Sequence, residues 1–406
     1  MQIRPVLAAL RHHRGATALI VLQIALTLAI VCNALFIIQL RLTHIARPTG
    51  IDEAHIVVIP NHWIGKYDTT QLSARRSIDL AALRMLPGVA DAYADYTYPV
   101  AGPWAALLRI GLKPDQRAPT SLAEGYQADD HTLSTLGLQL VAGRNFRPDE
   151  IVAGNVDDGL APPVIIITRD LAERLFSHES AVGRQVYIGN KPSTIIGVIR
   201  HLEVPAVGTH SFAYCSVLLP SWPAWSYGSF YVLRAKPGQL GAVMRAAPRA
   251  LLAINRMRVM EGGAQRFSDL RAAVYADDRG VSVLMSMICV VLLLATVGGI
   301  GGLASFWVQQ RTRQIGIRRA LGATRGDILR YFQTENFLIV SFGIALGMLL
   351  AFALNLLLMT HYELPRLPLV YLPIGAAALW LLGQLAVLGP ALRAAAVPPV
   401  VATRSV

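Results

Sequence analysis

The sequence predicts an α-helical membrane protein with four transmembrane helices and a large α+β extracytoplasmic domain of two lobes between helices 1 and 2. Three observations predict it. Of 406 residues, 54% are hydrophobic and only 15% charged, where a soluble domain carries about a quarter charged. Four stretches hold no Asp, Glu, Lys or Arg: Gly15–Leu40, Gly280–Gln310, Asn336–Tyr362 and Leu367–Leu392. The net charge of +12 is also unevenly placed: residues 41–280 carry 25 Lys and Arg against 22 Asp and Glu, the remainder 12 against 3. A basic excess confined to short segments beside apolar runs is the positive-inside pattern, so no nucleic-acid partner is expected.

The elements follow in order. Residues 1–14 place Ile3, Val6, Leu7 and Leu10 at helical spacing with Arg4 and Arg11 opposite, which predicts an interfacial helix lying on lipid at the cytoplasmic face. His12-His13 fits a headgroup contact there. Residues 15–40 form the first span; the run is longer than a signal-peptide core and is read as an uncleaved anchor. Each uncharged run exceeds the roughly 20 residues that cross about 30 Å of hydrocarbon. The other spans are 281–310, 335–360 and 370–392. Between them lie a cytoplasmic loop (311–334), a short outer loop (361–369) and a cytoplasmic tail (393–406). The flanking arginines put both termini inside the bacterial inner membrane and 41–280 in the periplasm.

Within 41–280, strand-like runs occur at 55–60, 92–99, 164–168, 184–188, 194–200, 214–219 and 230–235. Helical runs occur at 71–86, 169–176 and 240–254. A hairpin is expected across Gly189-Asn190-Lys191-Pro192. Strands interleaved with helices favour α+β over a sandwich. The order suggests a membrane-proximal lobe from about 50–100 and 225–265, and a second lobe inserted from about 105–220. From about Phe267 few breakers precede the second span, so its helix is expected to continue outward as a stalk. Cys215 is the one cysteine outside the spans and has no intrachain disulfide partner.

Chemistry is harder to find. A P-loop needs Gly-Lys-Ser/Thr, and of four lysines only Lys66 follows a glycine, with Tyr67 next. ATP hydrolysis is therefore expected on another polypeptide. No His-Glu-x-x-His or Gly-x-Ser-x-Gly occurs, so no catalytic, metal or cofactor site is predicted. His201 with Glu203 and His361 with Glu363 are better explained as surface polarity. Asp129-Asp130, Asp157-Asp158 and Asp277-Asp278 are better explained as solvated turns. Gln23, Asn33, Asn355 and Gln384 are uncharged amides suited to interhelical hydrogen bonds rather than a proton path. Gly298, Gly299, Gly301 and Gly302 leave two readings open, close packing or a hinge.

The informative stretch is QQRTRQIGIRRALGATRGDILRYF, Gln309–Phe332. It predicts a basic helix, a turn at Leu321-Gly322-Ala323 and a second helix capped by Thr324 with Asp327 three residues on. RTRQIGIRRALGATRGDIL resembles R-x-R-E-I-G-I-R-K-A-L-G-A-T, which marks permeases of the MacB/FtsX superfamily (type VII ABC transporters). The tail PALRAAAVPPVVATR is similar to that family's closing segment. LGLQLVAGRNF (136–146), VIIITRDLAERLF and AVGRQVYIG…STIIGVIRHL resemble blocks of its periplasmic core domain. The resemblance covers nearly the whole chain.

That resemblance implies a permease dimer, homomeric or heteromeric, worked by a separate ATPase dimer that holds ATP and Mg. Motion would pass to the periplasmic domains for efflux by mechanotransmission. A periplasmic adaptor and an outer-membrane tunnel protein are further partners of macrolide-exporter-type members. A lipoprotein-releasing permease and a non-transporting regulator of a periplasmic enzyme remain alternatives. Carried over by position, the coupling element is Arg313, Gln314, Ile315, Gly316, Ile317, Arg318, Arg319, Ala320, Leu321, Gly322 and Ala323. Ile315, Ile317 and Leu321 would enter an ATPase groove and the arginines would meet its acidic rim. Gln314 stands where Glu is usual, Pro398-Pro399 replaces Asp-Pro, and Val401 replaces Glu, which removes acids available for ion pairs with the ATPase.

Overall fold

The computed structural model describes residues 14–100, 106–114, 116–154, 161–177, 179–204, 211–223, 228–362 and 365–396. The expected interfacial helix before Arg14, His12-His13, Asp157-Asp158, Glu363 and the tail beyond residue 396 lie outside them. The described chain falls into two compact units: the residues up to Ala46 together with those from Asp277 onward, and Arg47–Ala276.

Helix α1, Arg14–Ile45, opens the helical unit. The inserted unit then begins with β1 (Ile56–Trp63), α2 (Thr69–Arg84) and β2 (Val89–Asp95). A capping box starts α2: Asp68 accepts from the Gln71 amide and Gln71 accepts from the Asp68 amide, at 2.8 and 3.3 Å. There follow β3 (Ala106–Gly111), β4 (Ser121–Gln127), α3 (Thr132–Leu136), β5 (Leu140–Gly143), β6 (Val152–Gly154), β7 (Val164–Thr168) and α4 (Arg169–Phe176). Next come β8 (Gln185–Ile188), β9 (Lys191–Ile199), β10 (Ser216–Leu219), β11 (Ser221–Pro223), β12 (Ser229–Ala235) and α5 (Leu240–Ile254). Strands β13 (Arg258–Val259) and β14 (Gln265–Arg266) lead into α6 (Phe267–Val274).

Two large sheets organise this unit, beside a parallel two-stranded pair of β6 and β11. The first is antiparallel, in the order β13-β1-β12-β2 with β14 on β1. Its strands come from both ends of the insert. Val57, Ile59, Tyr231 and Leu233 are buried against Leu80 and Leu83 of α2 and Val243, Ala247 and Leu251 of α5. The second sheet takes all its strands from residues 106–219, in the order β5-β9-β7-β10-β4-β3-β8. Strand β8 also pairs with β9, so six strands close into a ring with β5 attached to its rim. Closure follows from period-two patterning: Leu108/Ile110, Ile165/Ile167, Val186/Ile188 and Val217/Leu219 all point into one core, which Leu171 and Leu175 of α4 complete. The β8–β9 hairpin turns on two residues, not four. Gly189 has φ +62° and Ile188 pairs with Lys191, so Lys191 and Pro192 already belong to the strand.

The stalk is not one continuous helix. Tyr275 (φ −91°, ψ 11°) interrupts it between α6 and α7, Ala276–Gln310. The helical unit continues with α8 (Thr312–Ala320), α9 (Arg325–Tyr362) and α10 (Tyr371–Ala395). Four of its helices, α1, α7, α9 and α10, are long and apolar enough to cross a membrane. One core holds the unit together, drawn from Ile24 and Leu28, Ile300 and Trp307, Ile315, Phe332 and Val340, and Leu379 and Val387. Helix α9 approaches α1 closely through Gly343 and Gly347: a Cβ there would stand 2.7 Å from Ile24 and 2.9 Å from Leu28. Amides finish the packing. Asn33 donates to the Ala351 carbonyl (3.1 Å), Asn336 to Gly383 (2.9 Å), and Asn355 accepts from the Leu367 amide (3.0 Å). Gln384 makes only a long 3.5 Å contact with the Gln333 carbonyl.

Candidate coupling element

Helix α7 gives way to α8 at one residue, Arg311 (φ −99°, ψ 7°). Helix α8 ends in a Schellman turn: Ala323 N–H donates to the Arg318 carbonyl (3.1 Å) and Gly322 N–H to Arg319 (3.2 Å). Gly322 has φ +97°, a conformation in which a Cβ is strained. Helix α9 then starts from a full capping box. Asp327 Oδ2 accepts from the Thr324 amide (3.0 Å) and hydroxyl (2.6 Å), and Thr324 Oγ1 accepts from the Asp327 amide (3.2 Å). With both ends of the turn hydrogen-bonded, the two helices meet at a defined elbow.

The faces of this elbow differ sharply. Ile315 is 5% exposed and joins the core with Ile328 and Phe332, and Gly316 is buried beside it. Ile315 therefore packs into its own bundle here, where the resemblance placed it beside Ile317 and Leu321 against a partner. Ile317 and Leu321 are 47% and 82% exposed. Around them Arg313, Gln314, Arg318, Ala320 and Gly322 are also exposed, with Arg319 and Ala323 half-buried. The Arg318 guanidinium lies 5.1 Å from the Tyr331 ring, a cation–π contact that ties α8 to α9. Asp327 is committed to the cap, so the exposed tip is apolar and rimmed by positive charge.

Among the four clustered glycines of α7, Gly298 to Gly302, two pack and two face open space. A Cβ on Gly299 would meet Gln23 at 2.7 Å and one on Gly301 the Ala386 carbonyl at 3.4 Å, while Gly298 and Gly302 have nothing within 4 Å. The helix is unbroken through all four.

Several acids read as solvated are buried instead. Asp129 accepts from the His131 amide (2.9 Å) and the Thr132 hydroxyl (3.0 Å), and burial raises its pKa. Asp278 joins α7 to α1 by accepting from Arg41 and lying 3.1 Å from His44 Nδ1. His201 pairs with Asp170 at 2.9 Å rather than with Glu203. Glu203 is 2% exposed and stands near Arg47, Arg271 and the Tyr275 hydroxyl, with burial pushing its pKa up to about 7. His361 is exposed. Among the described residues no three His, Cys, Asp or Glu side chains are placed to hold a metal ion. These buried acids carry no signal in the sequence, because nothing local distinguishes them from loop residues.

Comparison with known proteins bears on the whole chain. The profile described as MacB-like periplasmic core domain matches residues 17–250, and that described as FtsX-like permease C-terminal matches 286–399. The macrolide export ATP-binding/permease protein MacB of Chromobacterium violaceum is 29% identical over 275 residues, covering 65% of this chain and 40% of that protein. The Bordetella avium MacB is 24% identical over 368 residues, covering 87% and 52%. The uncharacterized ABC transporter permease YknZ of Bacillus subtilis is 28% identical over 226 residues, covering 54% of each chain. The chain thus spans about half the length, or less, of these relatives. Among solved structures, the periplasmic region of MacB from Actinobacillus actinomycetemcomitans aligns at 13% identity and TM-score 0.34, over 55% of this chain and 94% of that one. The extracellular domain of YknZ aligns at 16% and 0.32, over 50% and 98%. With one profile spanning more than half the chain and a second following it in order, this multi-pass protein belongs to the family of FtsX-like ABC transporter permeases with a MacB-like periplasmic core domain.

Proposed function

We propose that this chain is the permease subunit of an ABC transporter that exports its cargo by mechanotransmission, using ATP hydrolysed by a separate ATPase dimer. The carrying observation is the elbow at 312–324: an exposed Ile317–Leu321 tip, rimmed by arginines, fixed by its turn and caps between two membrane-crossing helices. An apolar tip in a positive rim suits a groove with acidic edges, where charge sets register and apolar burial supplies affinity. In this reading the elbow is cytoplasmic, both termini are inside, 41–280 is periplasmic, and a second permease subunit completes the dimer. No Gly-Lys-Ser/Thr occurs in these 406 residues, so the ATP and Mg sites are assigned to the partner. The MacB relatives are macrolide export proteins, which supports export as the task.

The test is Leu321→Asp and Ile317→Asp in the complex reconstituted with its ATPase. Both side chains are exposed, so membrane insertion and yield are expected to match wild type. Permease-stimulated ATP turnover is expected to fall at least about tenfold, the loss of about 1.4 kcal/mol or more of coupling. Undiminished stimulation in both variants would overturn the assignment.

A further inference from the structure

We infer that Arg311 and Glu335 form a positioning pair that locks the joint between α7, α8 and α9, so that a push on the elbow reaches both membrane helices together. The inference deepens the proposed function and rests on it for the origin of the push. Arg311 is the one non-helical residue between α7 and α8, the place where the path from tip to membrane would bend. Its own side chain closes that joint: Nη1 donates to both carboxylate oxygens of Glu335, at 2.9 and 3.1 Å. The side chains are 14% and 2% exposed, so the contact is largely withdrawn from water. Glu335 lies in α9, immediately before a 27-residue uncharged run.

Packing beside the pair is incomplete. Glu335 borders a small crevice of about 20 Å³, bounded also by Ile20, Trp307, Phe332 and Asn336. Side chains lining such a gap lose dispersion contacts on that side. A hydrogen-bonded ion pair in the same place is directional, and breaking it strands a charge in a poorly solvated site. The Arg311 guanidinium also lies 5.7 Å from the Trp307 ring, which anchors it to the last turn of α7. Asn336 continues the linkage by donating to the Gly383 carbonyl of α10. Residue 311 is therefore at once the break in the helix and the residue that stiffens it.

Two readouts test this. In a background with the three native cysteines replaced, spin labels at Gln310→Cys and Thr334→Cys report the joint without any ATPase. A narrow distance distribution is expected for the parent and a broadened one for Glu335→Gln. The exchanged pair Arg311→Glu with Glu335→Arg is expected to narrow it again. Arg311→Lys keeps the charge but loses the guanidinium plane beside Trp307. It is expected to broaden the distribution too, and it decides the matter if Glu335→Gln does not fold. In the reconstituted complex, Glu335→Gln is expected to retain the ATPase on co-purification while stimulated turnover falls about tenfold. An unchanged distance distribution or full stimulation in a folded Glu335→Gln or Arg311→Lys variant would overturn the positioning role. If the parent chain binds no ATPase, the proposed function falls while the distance measurement still decides the pair.

Discussion

At the scale of the residue, Glu203 shows how burial changes what a side chain does. It sits after β9, where its amide donates to the Thr49 carbonyl (3.0 Å) and the Tyr126 hydroxyl donates to its carbonyl (2.5 Å). Arg47, Arg271, Glu53, Tyr214 and Tyr275 surround its carboxyl. Because the pKa is about 7 in the fold against an ordinary 4.5, the folded chain holds the proton more tightly than the unfolded one. Stability from this group is thus greatest below about pH 4.5 and declines as pH rises to about 7, by an amount on the order of 3 kcal/mol. Asp95 and Asp129, also raised by burial, act in the same direction. Glu150 acts oppositely: the Arg144 guanidinium holds it down to about 2, so its contribution is lost as pH falls from about 4.5. Glu203→Gln should flatten the decline between pH 5 and 7. Amide-exchange protection of residues 200–204 and 267–275 across that range is the measurement, and an undiminished slope in the variant would contradict it.

At the scale of the element, local signals were readable wherever the sequence supplied its own start and stop. The helices 169–176 and 240–254 and the strand 164–168 coincide with the observed bounds, helped by the breakers Pro162-Pro163 and Pro237-Gly238. The elbow's turn and cap were readable for the same reason: Gly322 and the Thr324–Asp327 pair are local chemistry. Strands β3 and β4 were missed because their short runs carry polar and small residues, and only the partner strands reveal which face is inside. The burial of Ile315 was not legible either, since a nine-residue helix does not declare its phase. Close approach is likewise invisible locally. Gly343 and Gly298 look alike in sequence, yet Gly343→Val should cost about 1–3 kcal/mol through overpacking against Ile24. Gly298→Ala, facing open space, should be neutral or stabilise by about 0.5–1 kcal/mol. Thermal unfolding in detergent distinguishes the two, and a large loss in Gly298→Ala would point to a flexing role or an unseen neighbour. Gly322→Ala should cost about 1 kcal/mol because of its φ of +97°.

At the scale of the whole molecule, the four uncharged runs were decisive because the need to keep charge out of hydrocarbon is global and leaves a long imprint. Cysteine labelling from either side of the membrane tests the resulting topology. Exposed positions near 313–325 should react only from the cytoplasmic side, and those near 64–68 only from the opposite side; the reverse pattern would sink the proposed coupling. Sheet assembly left a fainter imprint. The ring closes through a β3–β8 contact of two residue pairs, Ile110 with Ile188 and Gly111 with Tyr187, too brief to foresee from either segment alone.

The register of the first sheet has one more consequence. Asp95, the last residue of β2, stands opposite Phe230 near the start of β12. The chain therefore leaves and re-enters that sheet through neighbouring doorways, and the pendant between them also leans back on it: the Asp52 amide donates to the Leu136 carbonyl, His131 lies against Asp91, and the Glu203 amide donates to Thr49. Cutting it away joins two neighbouring strand ends but gives up those contacts. Splicing a two-residue Asn-Gly link between residues 95 and 229 should preserve strands β1, β2 and β12 and the spans, leaving a stripped-down protein in which the pendant's contribution to cargo handling can be weighed by itself.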